Sequence, residues 1–157
     1  MIINKIHFAF SGKIVQRGFW IYIWKIAHKG RLYFYVGRTG DSSSVNAASP
    51  MSRMSAHFGR NVVANALKRN LKEQAVELHE CTFECFCFGP LMEEKENWSD
   101  HVVARDILAT IEANIARYLK KKHFNVLGVH HGKHIDTEEV RRWTREIIED
   151  LEGKLSM

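Results

Sequence analysis

The chain has 157 residues, a formal net charge of +5, 45% hydrophobic and 26% charged residues, and three cysteines. That size suits one domain with a real core (residues 1–157), and the cysteine count implies no disulfide framework. No apolar run approaches the roughly 20 residues that cross a bilayer, and no signal-peptide pattern opens the chain, so the expected setting is cytoplasmic, with no membrane partner.

The charge is unevenly spread. Residues 1–72 carry twelve Lys/Arg and one acid, residues 73–112 carry two and ten, and residues 113–157 carry nine and seven. A basic first half is what phosphate binding needs, although a solvated basic face needs no partner.

In residues 2–17, Ile6, Phe8 and Phe10 alternate with polar or small residues before a Ser11-Gly12 turn, which predicts an added strand or short hairpin. Residues 18–27 and 31–37 are apolar runs rich in aromatic and β-branched types, joined by His28-Lys29-Gly30. They predict a hairpin. With the loop centred at residues 28–29, Tyr22 and Tyr35 fall nearly opposite and share a face. Alone, these phenols fit ordinary sheet packing as well as a site.

A Ser/Asn/Ala/Asp loop, residues 40–49, is predicted to be exposed and mobile, and Ser49-Pro50 then reads as N-cap and first helical residue. Met54 and Phe58 should face the core, with Arg53 and His57 stacked on the adjacent stripe. Residues 62–79 predict a second helix through Val63, Leu67, Leu71, Ala75 and Leu78, leaving Lys68, Arg69 and Lys72 for solvent or a nucleic-acid backbone.

Residues 81–88 predict a strand that Gly89-Pro90 ends, with Cys81, Phe83, Cys85 and Cys87 on one face. Their spacing is not a usual zinc pattern, and strand cysteines commonly act as small hydrophobes. After an acidic loop, a long helix is predicted from about Ser99 to Lys122, with Val103, Ile107, Leu108, Ile111, Ile115, Tyr118 and Leu119 as its stripe. Glu112 falls at the stripe's edge, where an acid needs a partner or a metal; Arg105 or Arg117 would serve. Asn114, inside the stripe, would be satisfied by backbone. His130-His131-Gly132-Lys133-His134 reads as a solvated loop rather than a metal cluster. The last helix should start at an Asp136 cap with Glu139, pack through Val140, Trp143, Ile147, Ile148 and Leu151, and end near Gly153.

Taken in order, Trp20-Ile21-Tyr22, Tyr35-Val36-Gly37, Thr39, Arg53 with His57, Glu112 and Asn125 form a set that resembles the GIY-YIG nuclease family. The resemblance covers residues 18–128. It departs from the family in Trp20, which stands where the first Gly is expected, and in a slightly long spacer, residues 23–34. It implies an α/β (α+β) fold: a small, mainly antiparallel three-stranded sheet flanked by helices, to which residues 1–17 add a strand and residues 129–157 a helix. It also implies a metal-dependent endonuclease acting on nucleic acid, DNA by family habit. Glu112 would bind one Mg²⁺ (or Mn²⁺), and Tyr22 would orient and deprotonate the water, its phenol made more acidic by nearby cations. Arg53 would neutralise the phosphate, and Tyr35 and His57 would hydrogen-bond around water and phosphate. Arg38, Thr39, Lys68, Arg69 and Lys72 would contact nucleic acid, with Gly37 and Asn125 in support. Two other readings stay open: a catalytically silent nucleic-acid-binding module on this fold, and a structural or protein-partner domain.

Overall fold

The structure, a computed structural model, describes residues 3–60 and 65–155. It is α+β: a four-stranded mixed sheet with four helices among the described residues. Strand β1 (Phe19–His28) turns into β2 (Arg31–Arg38) through Lys29 and Gly30, both at positive φ (47° and 79°). A two-residue turn of this hand matches the right-handed strand twist. The turn centre lies one residue later than the sequence suggested, so Tyr22 pairs with Gly37 and Tyr35 with Trp24. Moving the centre by one residue moves each partner by two. The phenols are therefore diagonal rather than opposed, and still share a face.

The long strand β3 (Thr82–Met92) runs antiparallel to β1 on its free side. It continues past Gly89-Pro90 rather than ending there. Proline is tolerated because β3 lies at the sheet edge and the ladder shifts register opposite Phe19–Ile21. A fourth strand absent from the expected sheet, β4 (Asn125–Val126), pairs parallel to β2, which gives the order β3-β1-β2-β4.

The expected N-terminal strand is not formed. Residues 3–11 have no regular structure, and Ser11 caps a 3₁₀ turn, Gly12–Val15. Ile6, Phe8 and Phe10 are 88%, 72% and 53% exposed, because no strand edge pairs with this segment and no apolar face covers it.

Helix α1 (Pro50–Phe58) begins as the sequence indicates: Ser49 Oγ accepts from Ser52 N, and Pro50 needs no partner for an N–H it lacks. Pro50, Met54 and His57 are its buried residues. Phe58 is partly exposed and meets Trp24 and Phe83 edge-on. The preceding loop is exposed at Asp41–Ser44 but buries Ala47, whose N–H donates to Glu94. Helix α2 (Ala66–Glu73) is shorter than expected; Val63 lies outside the described residues. It stops because Ala75 takes a left-handed conformation and Val76 N returns to Leu71 O, which buries Val76 in place of a continued stripe.

Helix α3 (Trp98–Lys121) is capped by Asn97. Its inner stripe runs through Ala104, Leu108, Ile111, Ile115 and Leu119; Val103 is 57% exposed instead. Asn114 accepts from the Arg117 side chain, not from backbone. Helix α4 (Glu138–Leu155) is capped one residue later than expected: Thr137 Oγ1 accepts from Val140 N, Asp136 accepts from Arg141, and the helix continues through Gly153.

The sheet separates two cores. Phe19, Ile21, Ile23, Phe34 and Val36 pack under α3 and α4. Tyr22, Trp24, Ile26, Tyr33 and Tyr35 face α1, α2, Cys85 and Cys87. No described helix is long and apolar enough to cross a membrane.

Candidate active site

Alternation along β1 puts Tyr22 on the mixed face, directly across from Gly37. A Cβ at residue 37 would lie 2.4 Å from Tyr22 Cζ and 2.5 Å from its hydroxyl, so the ring crosses a space only glycine leaves open. Capping at Ser49 starts α1 where His57, two turns on, reaches the same phenol: Tyr22 Oη and His57 Nε2 are 2.8 Å apart. The Tyr35 ring meets His57 edge-on at 5.3 Å. Asn65, the cap of α2, donates to the carbonyls of Ala56 and His57 and so fixes the end of α1.

Tyr22 is 1% exposed, and its pKa is raised far above the ordinary phenol value. Burial is the main cause, with Tyr35 adding and Arg53 opposing. The expectation of an acidified phenol is therefore overturned: desolvation of a buried phenolate outweighs one guanidinium. Burial also pushes Tyr35 up to about 12, with the charge of Glu112 adding. His57 is driven down to about 4 by burial and then by Arg53, so it is neutral near pH 7.

Two arginine–carboxylate pairs stand beside this cluster. Arg53 Nη2 donates to Asp41 Oδ2 at 3.1 Å. Arg38, from the end of β2, pairs with Glu112 of α3. Thus Glu112 finds its base across the fold, while Arg105 pairs with Asp106 and Arg117 with Asn114. Glu112 is 7% exposed, and its carboxyl is pushed up to about 7 by burial despite Arg38. Among the described residues, the Nε atoms of both Arg38 and Arg53 are buried without an acceptor.

A cleft of about 550 Å³ opens beside these groups, lined by Tyr35, Arg38, Asp41 and Glu112 together with Arg69, Asn70, Glu73 and Gly128–His131. Tyr22 and His57 do not line it. They adjoin it through Tyr35 and through Arg53, which Asp41 holds.

Several expected contacts lie elsewhere. Thr39 is fully buried; its hydroxyl donates to Gly18 O at 2.6 Å and accepts from Trp20 N at 2.8 Å, so it locks the strand ends and cannot touch nucleic acid. Lys68 donates to Gly59 O and Phe58 O at the end of α1. Lys72 lines a separate hollow with Val76 and Leu78. Asn125 Nδ2 donates to Leu32 O, tying β4 to the hairpin backbone rather than to a site side chain.

Two site residues escaped the sequence. Asp41 was legible only as the single acid among residues 1–72. His130, expected in a solvated loop, is folded into the cleft with Nε2 3.0 Å from Val36 O.

Among the described residues, no group of three or more His, Cys, Asp or Glu converges as a metal-ligand set. Glu112 and Asp41 nevertheless line one cleft. Glu112, a buried carboxylate that one arginine leaves under-neutralised, has the chemistry of a hard-cation ligand. Mg²⁺ takes few protein oxygens and keeps several waters, so this donor set fits it.

The chain matches no protein-family model, no curated protein and no solved structure.

Proposed function

We propose that this chain is a metal-dependent endonuclease of the GIY-YIG type, hydrolysing phosphodiester bonds in nucleic acid, with DNA as the first substrate class. The observation that carries this reading is one polar cluster drawn from β1, β2, α1, α3 and the loop at Asp41: Arg38, buried Glu112 and Asp41 line the cleft, Asp41 holds Arg53, and the 2.8 Å Tyr22–His57 contact lies behind them.

Each group has work it can do. Neutral His57, in the tautomer with Nε2 bare, accepts a hydrogen bond from the Tyr22 hydroxyl and so orients the phenol oxygen, whose remaining lone pair would accept a hydrogen bond from the attacking water. The unpartnered Nε groups of Arg38 and Arg53 are donors suited to phosphate oxygens. An entering phosphate would draw these arginines from Glu112 and Asp41, the two carboxylates that would hold the ion. Bound there, Mg²⁺ or Mn²⁺ supplies charge stabilisation of the phosphate and the leaving oxygen.

The test is incubation of the protein with supercoiled, linear and branched DNA in Mg²⁺ or Mn²⁺, with EDTA and Glu112→Gln as controls. Cleavage lost in both controls supports the nuclease. Salt-dependent binding without cleavage supports the second reading, a catalytically silent binding module. The burial of Tyr22 is the observation favouring that alternative.

A further inference from the structure

The segment after β4 is anchored by Leu127 N, which donates to Phe34 O at 2.7 Å, and turns at Gly128, φ 82°. This brings His130 against β2. Among the described residues its Nε2 contacts the Val36 carbonyl, 3.0 Å away. A carbonyl accepts and never donates, so Nε2 must carry the proton. Burial lowers the pKa of His130; the hydrogen bond to Val36 opposes this, and the charged and titratable groups facing it, Lys120 of α3, Arg38 of β2 and His131, add to the lowering. The ring is neutral, and a neutral ring protonated at Nε2 has a bare lone pair at Nδ1. Among the described residues that Nδ1 is buried without a hydrogen-bond partner.

The position gives the lone pair a meaning. His130 lines the same cleft as Arg38 and Glu112. An acceptor has nothing to offer a phosphate oxygen, which the arginines suit. It needs an N–H or O–H. Asn70, on the same wall, can both donate and accept.

We propose that this wall is a nucleotide-reading subsite in which His130 Nδ1 accepts a hydrogen bond from a donor group of the nucleotide beside the scissile phosphate. The inference rests on the nuclease reading for the place of the phosphate. Two donors share this chemistry: an amino or imino group of the base, and the 2′-hydroxyl of RNA. An unmatched acceptor penalises a substrate without the donor, so the contact discriminates as well as attracts.

The experiment is imidazole ¹⁵N NMR of the full chain in EDTA, titrated with dAMP, AMP, deoxyribose 5-phosphate and inorganic phosphate. The Nε2–H tautomer is expected, and dAMP or AMP should shift Nδ1. His130→Gln, whose amide can still donate to Val36, and His130→Phe should each weaken that nucleotide roughly fivefold while leaving deoxyribose 5-phosphate unchanged. Dependence on His130 with dAMP assigns the donor to the base, and with AMP alone to the 2′-hydroxyl; either supports the subsite. An Nδ1–H tautomer, or nucleotide affinities equal in wild type and both variants, overturns it while phosphate binding stands. If no phosphate compound binds at all, the phosphate-binding reading itself falls with it.

Discussion

The two faces of the sheet come from the same strands and do opposite things. Phe19, Ile21 and Ile23 of β1 enter a mainly apolar core under α3 and α4, where buried His101 packs on the Phe19 ring. The residue between them, Tyr22, faces a layer where a phenol, an imidazole and two arginine–carboxylate pairs are neighbours. One face can be close-packed because its few buried polar side chains bond to nearby backbone, His101 Nε2 donating to Gly40 O and Thr110 Oγ1 to Asp106 O. The other must leave a cleft, so its groups sit at the border between burial and water, and burial sets their proton affinities. Glu112 joins the two: its helix packs on the apolar face while its carboxylate reaches Arg38 at the end of β2.

Substitutions on each face can break this contrast. The largest expected effect is on chemistry. Tyr22→Phe removes the hydroxyl and should lower cleavage by about 10²–10⁴-fold, while costing only about 1 kcal/mol of stability for one hydrogen bond. Single-turnover rates beside urea melts measure this, and a rate loss no larger than the stability loss would leave Tyr22 a packing residue. On the apolar face the balance should invert. Leu108→Ala, at a fully buried site, should cost about 2–5 kcal/mol. Cleavage per folded molecule should stay near wild type below the melting transition.

Gly37→Ala tests the seam where the mixed face is tightest. The new Cβ meets the Tyr22 ring at 2.4 Å. Displacement of that ring should cost about 1–3 kcal/mol and reduce cleavage as well. A crystal structure of the variant with Tyr22 unmoved would contradict the account of why glycine stands there.

The most gradual expected effect is a pH slope. Folding lowers the pKa of His57 from 6.5 to about 4, so the unfolded chain binds more protons between those values. Stability should rise with pH across that window, be complete above about 6.5, and be lost as pH falls through about 4. His57→Gln should flatten this part of the stability profile. An unchanged slope would mean His57 is not buried in its neutral form.

Much of the fold was readable because its signals are local. Alternation along β1, the hairpin through His28-Lys29-Gly30 (its centre read one residue early), the Ser49-Pro50 start of α1 and most of the stripe of α3 each depend on a few adjacent residues. Errors fell where a distant partner decides. The alternation of Ile6, Phe8 and Phe10 looks like a strand, but nothing in the fold pairs with it. Asn125-Val126 is too short to read as a strand, yet it becomes one beside β2.

For the site, the sequence by itself determined which chemical groups are present, and through strand and helix periodicity it put Tyr22 with Tyr35 and Arg53 with His57 on common faces. Only the tertiary structure decided their company and their protonation. It set Glu112 against Arg38 rather than Arg105 or Arg117, sealed Thr39 between the ends of β1 and β2, brought Asp41 and His130 to the cleft, and raised the Tyr22 pKa instead of lowering it. The physical reason is one of range. Periodicity acts over a few residues, whereas desolvation and ion pairing depend on whatever the folded chain places within a few ångströms, however far apart in sequence.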